Sequence, residues 1–166
     1  MIVFLLTLAC KKSTPVTQPV VEPPPPAVVP KKAPEQIPEV VMSMAKNFER
    51  VFFDVDSSQL NSEAKQALSA NVEIMKGNGN LRIEIQGHAD ERGTTDYNLA
   101  LGQRRAQSVL DFMQTQGVPS SRIRIISYGE ERPLQQGSNE RTWSKNRRCE
   151  FAILWSEHEN IQGTTD

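Results

Sequence analysis

The sequence predicts an α+β domain, one sheet with helices packed on one face, carried behind a long proline-rich tail. Apolar residues alternate with polar ones in four short stretches, near residues 51, 81, 123 and 149, and recur at helical spacing in two stretches between them. The resulting order is β-α-β-α-β-β, and its two β-α-β units call for right-handed crossovers and parallel pairing. Nine of the 11 prolines lie between Pro15 and Pro38, with only Pro119 and Pro133 beyond. The chain therefore divides into a tail of about 40 residues and a domain of about 110, large enough to bury a core without a metal or disulfide.

Residues 1–9 are apolar apart from Thr7 and run into Ala9-Cys10-Lys11-Lys12. A bilayer-spanning helix needs about 20 residues, so a signal-peptide core ending on a small residue before Cys10 is the expectation. No positive charge precedes the apolar run, as expected of a start codon placed too late or a truncated gene. The predicted divisions are a signal segment over 1–10, a flexible linker over 11–47, the domain over 48–156 and a frayed polar tail over 157–166. Ring-locked residues in PVTQPVVEPPPPAVVPKKAPEQIP favour polyproline II, which at about 3.1 Å per residue spaces a domain on the order of 100 Å from an anchor.

Within the domain, Val51, Phe53 and Val55 alternate with Phe52 and Asp54 as a first strand. Asn61 is a helix N-cap, Ala64, Leu68, Val72 and Met75 repeat at helical spacing, and Gly77 closes the helix. Leu81, Ile83 and Ile85 alternate with Arg82, Glu84 and Gln86, predicting a strand with one buried face. A second helix begins at the cap Thr94, buries Ala106, Val109, Leu110 and Met113, and stops at Gly117 before Pro119. Ile123 and Ile125 open a third strand ending near Gly129; a helical turn is expected over 140–144; Cys149, Phe151, Ile153 and Trp155 alternate as the last strand.

The formal net charge of −1 and pI near 6.2 argue against nucleic acid, whose phosphates require a basic surface. Cys10 ends an apolar run and Cys149 sits in a strand pattern, so the two are unrelated, and Cys149 reads as a small buried hydrophobe. His88 and His158 are the two histidines, with no second cluster at ligand spacing, and neither a nucleophile elbow nor a phosphate-cradling glycine loop is present. Asp90 and Glu91, as sequence neighbours, diverge in direction and make a poor paired-carboxylate hydrolase. Binding without catalysis and without a cofactor is the expectation.

The chemistry concentrates in residues 87–109, GHADERGTTDYNLALGQRRAQSV. Asp90 lies in the loop after a strand, and Arg104 and Arg105 lie early in the following helix, so a carboxylate and a guanidinium meet at one strand-to-helix crevice. An acceptor-only acid opposite a planar fork of donors suits a zwitterion carrying ammonium and carboxylate on one carbon. The same spacing equally allows Asp90 and Arg105 to salt-bridge each other. Arg104 and Arg105 stand about 100° apart around a helix, so only one can face the crevice squarely.

This stretch, with VFFDVDSSQL, SYGEERP and NRRCEF in order around it, closely resembles the peptidoglycan-associated lipoproteins of the OmpA-like C-terminal domain family, over residues 48–155. The resemblance implies a mixed four-stranded sheet, and a module that binds the diaminopimelate side chain of peptidoglycan stem peptides, Asp90 taking the ammonium and Arg105 the carboxylate. It makes Asp56 and Arg148 pocket edges and Arg92 a rim residue, and places Asn98 near the pocket, where it either orients the ligand or caps the loop. Arg105 is expected to point outward, so that its loss spares the fold. Cys10 becomes an acylated first residue holding the protein on the outer membrane, its domain in the periplasm, although Thr7 and Leu8 depart from the usual lipoprotein box. The partners implied are peptidoglycan and, if the chain works in the Tol system of cell division and envelope integrity, TolB and other Tol proteins. The alternatives are a family lipoprotein outside that system and a cell-wall peptide hydrolase.

Overall fold

The computed structural model describes residues 39–156 and 159–162, within one compact unit spanning 36–166. Cys10, the predicted signal segment and the linker up to residue 38 lie outside the described residues. The elements are α1 (Glu39–Lys46), β1 (Val51–Phe52), α2 (Ser62–Gly77), β2 (Ile83–His88), α3 (Thr95–Thr115), a 3-10 turn (Ser120–Arg122), β3 (Ile123–Gly129), α4 (Glu140–Asn146), β4 (Arg148–Ser156) and β5 (Glu159–Gln162).

The sheet is mixed, in the order β1-β4-β2-β3, with β5 also paired to β4. β2 and β3 run parallel with Ile83 opposite Ile123 and Ile85 opposite Ile125. β4 lies antiparallel between β2 and β1, with Cys149 facing both Gly87 and Val51. The odd-numbered residues Ile83, Ile85, Cys149, Phe151 and Ile153 form one core with Ala45 of α1, Leu68 and Val72 of α2, and Ala106, Val109 and Met113 of α3. α1, α2 and α3 thus all contribute to the core on one face of the sheet. Asn61 and Thr94 cap their helices as expected, accepting from the Ala64 and Tyr97 backbone N–H groups, and Gly117 has the positive φ of 93° that ends α3.

Four expectations change. Residues 39–46, placed in the linker, form α1: no proline follows Pro38 there, and Ala45 is 1% exposed in the core. Part of the expected frayed tail forms β5, with Ala152 opposite Gln162 and Leu154 opposite Asn160. β1 pairs with β4 only at residues 148 and 149, leaving an open backbone edge farther along β4 that β5 covers. The first strand is shorter than its alternation, because Val51 and Phe53 are buried but Val55 is exposed and the chain turns at Asp56, whose φ is 51°. Finally, β2 is buried on both faces: its even-numbered side carries an ionic set in which Glu84 accepts from Arg124 Nε at 2.7 Å and from Gln86 Nε2 at 2.9 Å.

Candidate functional site: a carboxylate among guanidinium groups

Two glycines set the site's dimensions. A Cβ on Gly87 would drive into the backbone carbonyl of Gly102, and one on Gly102 would strike Ser127 and Gly87, so the end of β2 and the first turns of α3 touch backbone to backbone. Asp90 follows in the loop, where the Ala89 N–H donates to the Gly129 carbonyl at 2.8 Å. Arg105 lies one helical turn beyond Gly102. The strand end and the helix therefore bring both residues close enough for the Asp90 charge to act on Arg105.

Their orientations differ from the expectation. Arg105 does not point outward; it is fully buried. Its Nε donates to the Ser57 carbonyl at 2.8 Å, Nη1 to His88 at 2.8 Å and Nη2 to Asp54 at 3.1 Å, and the guanidinium carbon lies 5.2 Å from the Phe53 ring centroid. Helical phase explains the difference: of two adjacent arginines one must turn inward, and three converging carbonyls satisfy its flat fork there. Burial pulls the Arg105 guanidinium down to about 10, with the nearby Asp90 charge pulling the other way, so it remains cationic at neutral pH. Three of its five N–H groups are engaged by these carbonyls.

Nor do Asp90 and Arg105 salt-bridge each other. Asp90, 7% exposed, accepts at Oδ1 from the Arg92 backbone N–H at 3.1 Å and Nε at 3.0 Å. Its Oδ2 accepts from Arg92 Nη2 at 2.7 Å and Arg147 Nη1 at 3.4 Å. Burial pushes the Asp90 carboxyl up, but the side-chain and backbone hydrogen bonds of Arg92 outweigh it and hold the group below its ordinary range. Arg147 is itself buried, giving Nε to the Phe53 carbonyl at 3.1 Å and Nη2 to Glu140 at 2.7 Å. The Arg92 guanidinium rests 4.2 Å from the Trp143 ring centroid, and the Trp143 indole N–H donates to Glu91 at 3.1 Å. Hydrogen bonds from Ser138 and Trp143 hold the Glu91 carboxyl down as well. Both acids stand as charged acceptors, suited to hold a cation and poorly suited to shuttle a proton.

The remaining expected residues divide. Asn98 is buried and donates to the Arg92 carbonyl at 3.1 Å and to Glu130 at 2.6 Å, so of its two open roles these bonds serve the loop. Asp56 sits at the rim, where its carboxylate accepts from the Tyr97 hydroxyl. Arg148 is not at the Asp90 site. It lies on the opposite face of the sheet, donating to Glu150 at 2.7 Å, the Asn146 carbonyl at 3.3 Å and the Arg132 carbonyl at 3.2 Å. Strand parity is the reason: Arg147 shares its side with Cys149 and Phe151, and Arg148 shares its side with Glu150. Arg147, Glu140 and Trp143 are the members of the cluster that the sequence reading overlooks, and parity alone would have found Arg147. Among the described residues no group of three His, Cys, Asp or Glu side chains is arranged to hold a metal ion.

The family model described as the OmpA family matches residues 52–147. The peptidoglycan-associated lipoprotein of Brucella melitensis is 50% identical over 101 residues, 61% of this chain and 60% of that protein; that of Pseudomonas aeruginosa is 46% identical over 100 residues, 60% of this chain and 59% of that protein. The chain thus spans about 60% of the length of these relatives. The crystal structure of the peptidoglycan-associated lipoprotein from Burkholderia pseudomallei superposes with a TM-score of 0.61 at 36% identity, covering 63% of this chain and 89% of that one. The C-terminal domain of Helicobacter pylori MotB, at 19% identity and TM-score 0.60, covering 66% of this chain and 86% of that one, shares the fold. From the match over residues 52–147, the chain belongs to the OmpA family.

Proposed function

We propose that the chain is a non-catalytic outer-membrane lipoprotein that binds the diaminopimelate of peptidoglycan stem peptides and so tethers the outer membrane to the cell wall, within the Tol system of cell division and envelope integrity. The observation that carries the reading is Asp90: a nearly buried carboxylate, held below its ordinary range, whose charged neighbours are Arg92 and Arg147, Glu140 paired to both arginines, and the buried Arg105 nearby. An amino-acid head with ammonium and carboxylate on one carbon complements that arrangement. Asp90 takes the ammonium, and the carboxylate turns toward the Arg105 fork, two of whose N–H groups are not engaged by the three loop and strand carbonyls. The names of the Brucella, Pseudomonas and Burkholderia relatives support peptidoglycan as the polymer. Cys10 carries the acyl anchor, which contributes about 0.8 kcal/mol per buried methylene. The proline-rich tail spaces the domain from it, and repeated ligands on one polymer compensate for weak single sites. TolB and other Tol proteins are the protein partners of this reading.

Incubating the chain with purified sacculi tests it. The expected result is co-sedimentation with no soluble fragments, lost by at least about tenfold in Asp90→Ala, the loss of one charge-assisted contact. Release of soluble muropeptides overturns the non-catalytic reading, and full binding by Asp90→Ala overturns the site. Cys10→Ser is expected to leave the membrane fraction; retention there refutes the anchor.

A further inference from the structure

Resting on that reading of the site, we infer that Arg92 is an internal counter-ion which the ligand displaces, and that this exchange makes Asp90 select zwitterionic amino-acid ends over plain amines. A carboxylate offers about four acceptor positions, and on Asp90 all are taken: two at Oδ1 by the Arg92 backbone and Nε, two at Oδ2 by Arg92 Nη2 and Arg147 Nη1. An incoming ammonium has to displace a donor. Arg147 is the harder to move, its side chain 7% exposed and pinned at both ends by the Phe53 carbonyl and Glu140. The Arg92 side chain is 39% exposed and held, apart from Asp90, by the Trp143 ring and a 4.0 Å approach to Glu140. Arg92 is the donor that leaves.

Its destination decides what binds. After displacement by a plain amine, the carboxylates near the guanidinium are Glu140, which already accepts from Arg147 at 2.7 Å, and the exposed Glu91, which already accepts from the Trp143 indole. A zwitterion brings its own carboxylate beside the ammonium, and the displaced planar fork closes on the acceptor positions that Arg105 leaves open. The zwitterion thus adds no net charge to the cluster, while the amine adds one cation with no anion of its own. The Trp143 ring gives the guanidinium a surface to slide on without losing its cation–π contact. Arg92 thus acts as a specificity-determining residue for the site.

The test uses two stem tripeptides identical except that the third residue is diaminopimelate in one and lysine in the other, a difference of one carboxylate, titrated calorimetrically into the full chain. Wild type is expected to favour the diaminopimelate peptide by at least about tenfold, the scale of one charge-assisted pair. In Arg92→Ala and Arg92→Gln the ratio is expected to shrink to within about threefold, chiefly because the lysine peptide binds more tightly once its competitor is gone. An unchanged or wider ratio in both variants, or equal binding of the two peptides by wild type, overturns the exchange while leaving the ligand reading standing. Failure of wild type to bind either peptide instead removes the ligand reading itself.

Discussion

Arg92 and Arg105, at the exposed rim and the buried floor of the Asp90 cluster, are satisfied in opposite ways. Arg105 is fully buried and bonded to three main-chain carbonyls from two segments, residues 54 and 57 before α2 and residue 88 at the end of β2. Arg92 is partly exposed and bonded to one side-chain carboxylate, with an indole beneath it. Carbonyl partners are fixed by the fold, so the floor arginine is a structural hub that also supplies a standing charge. A side-chain partner can be exchanged for a ligand, so the rim arginine can take part in binding at little expense to stability.

The sharpest way to break this contrast is Arg105→Ala. Orphaning three carbonyls in a dry site is expected to destabilise the fold by about 3 to 5 kcal/mol, read as a shift in the urea midpoint. A loss below about 1 kcal/mol would return Arg105 to an outward-facing role.

His88, whose carbonyl is one of those three acceptors, gives the next largest effect. Its imidazole is buried beside the Tyr128 ring, and among the described residues neither nitrogen has a well-formed hydrogen bond, the Arg132 backbone offering only a weak contact. Burial, then the positive fields of Arg148 and Arg132, push its pKa down to about 3 from 6.5. The folded state therefore holds His88 neutral while the unfolded chain protonates it. The stabilisation is whole above about pH 6.5 and drains as pH falls toward 3, amounting to about 3 kcal/mol between pH 6.5 and 4. His88→Phe is expected to flatten the stability profile over that interval by nearly one proton; an unaltered slope refutes the assignment.

Arg147 and Arg148 sharpen the comparison across the sheet. Each alanine variant is expected to destabilise by about 2 kcal/mol, because each leaves a buried partner. Sacculus binding should fall about tenfold in Arg147→Ala alone, while Arg148→Ala stays within about twofold of wild type, since only Arg147 touches Asp90. Equal losses in both would move the binding surface to the other face. The smallest effect is Arg92→Ala, expected to change unfolding free energy by about 1 kcal/mol, because the Arg92 side chain is 39% exposed and Arg147 remains on Asp90.

The fold was legible where a pattern repeats. Asn61, Thr94 and Gly117 bounded the helices from local chemistry, and the odd-numbered apolar residues of β2 and β4 named the core. α1 and β5 were not, because α1 begins directly after Pro38 at the end of the proline-rich tail and β5, Glu159–Gln162, carries one apolar residue. In the site, the meeting of Asp90 and Arg105 followed from their places on the chain. Which partner each would choose did not, because the choice rests on carbonyls at residues 54, 57 and 88 that any sequence possesses. Arg148 as a pocket edge rests on the resemblance alone, and strand parity, followed back from Cys149 to Arg147, puts Arg148 on the other face.

The backbone contact between Gly87 and Gly102 has a further consequence. Where strand and helix meet without side chains, no substitution can shrink the gap and any addition pries it apart, so the distance between the Asp90 loop and the Arg105 turn acts as a ruler fixed by main-chain atoms. An alanine at either position would alter the calibration itself, leaving every charged residue in place around a gap of the wrong size.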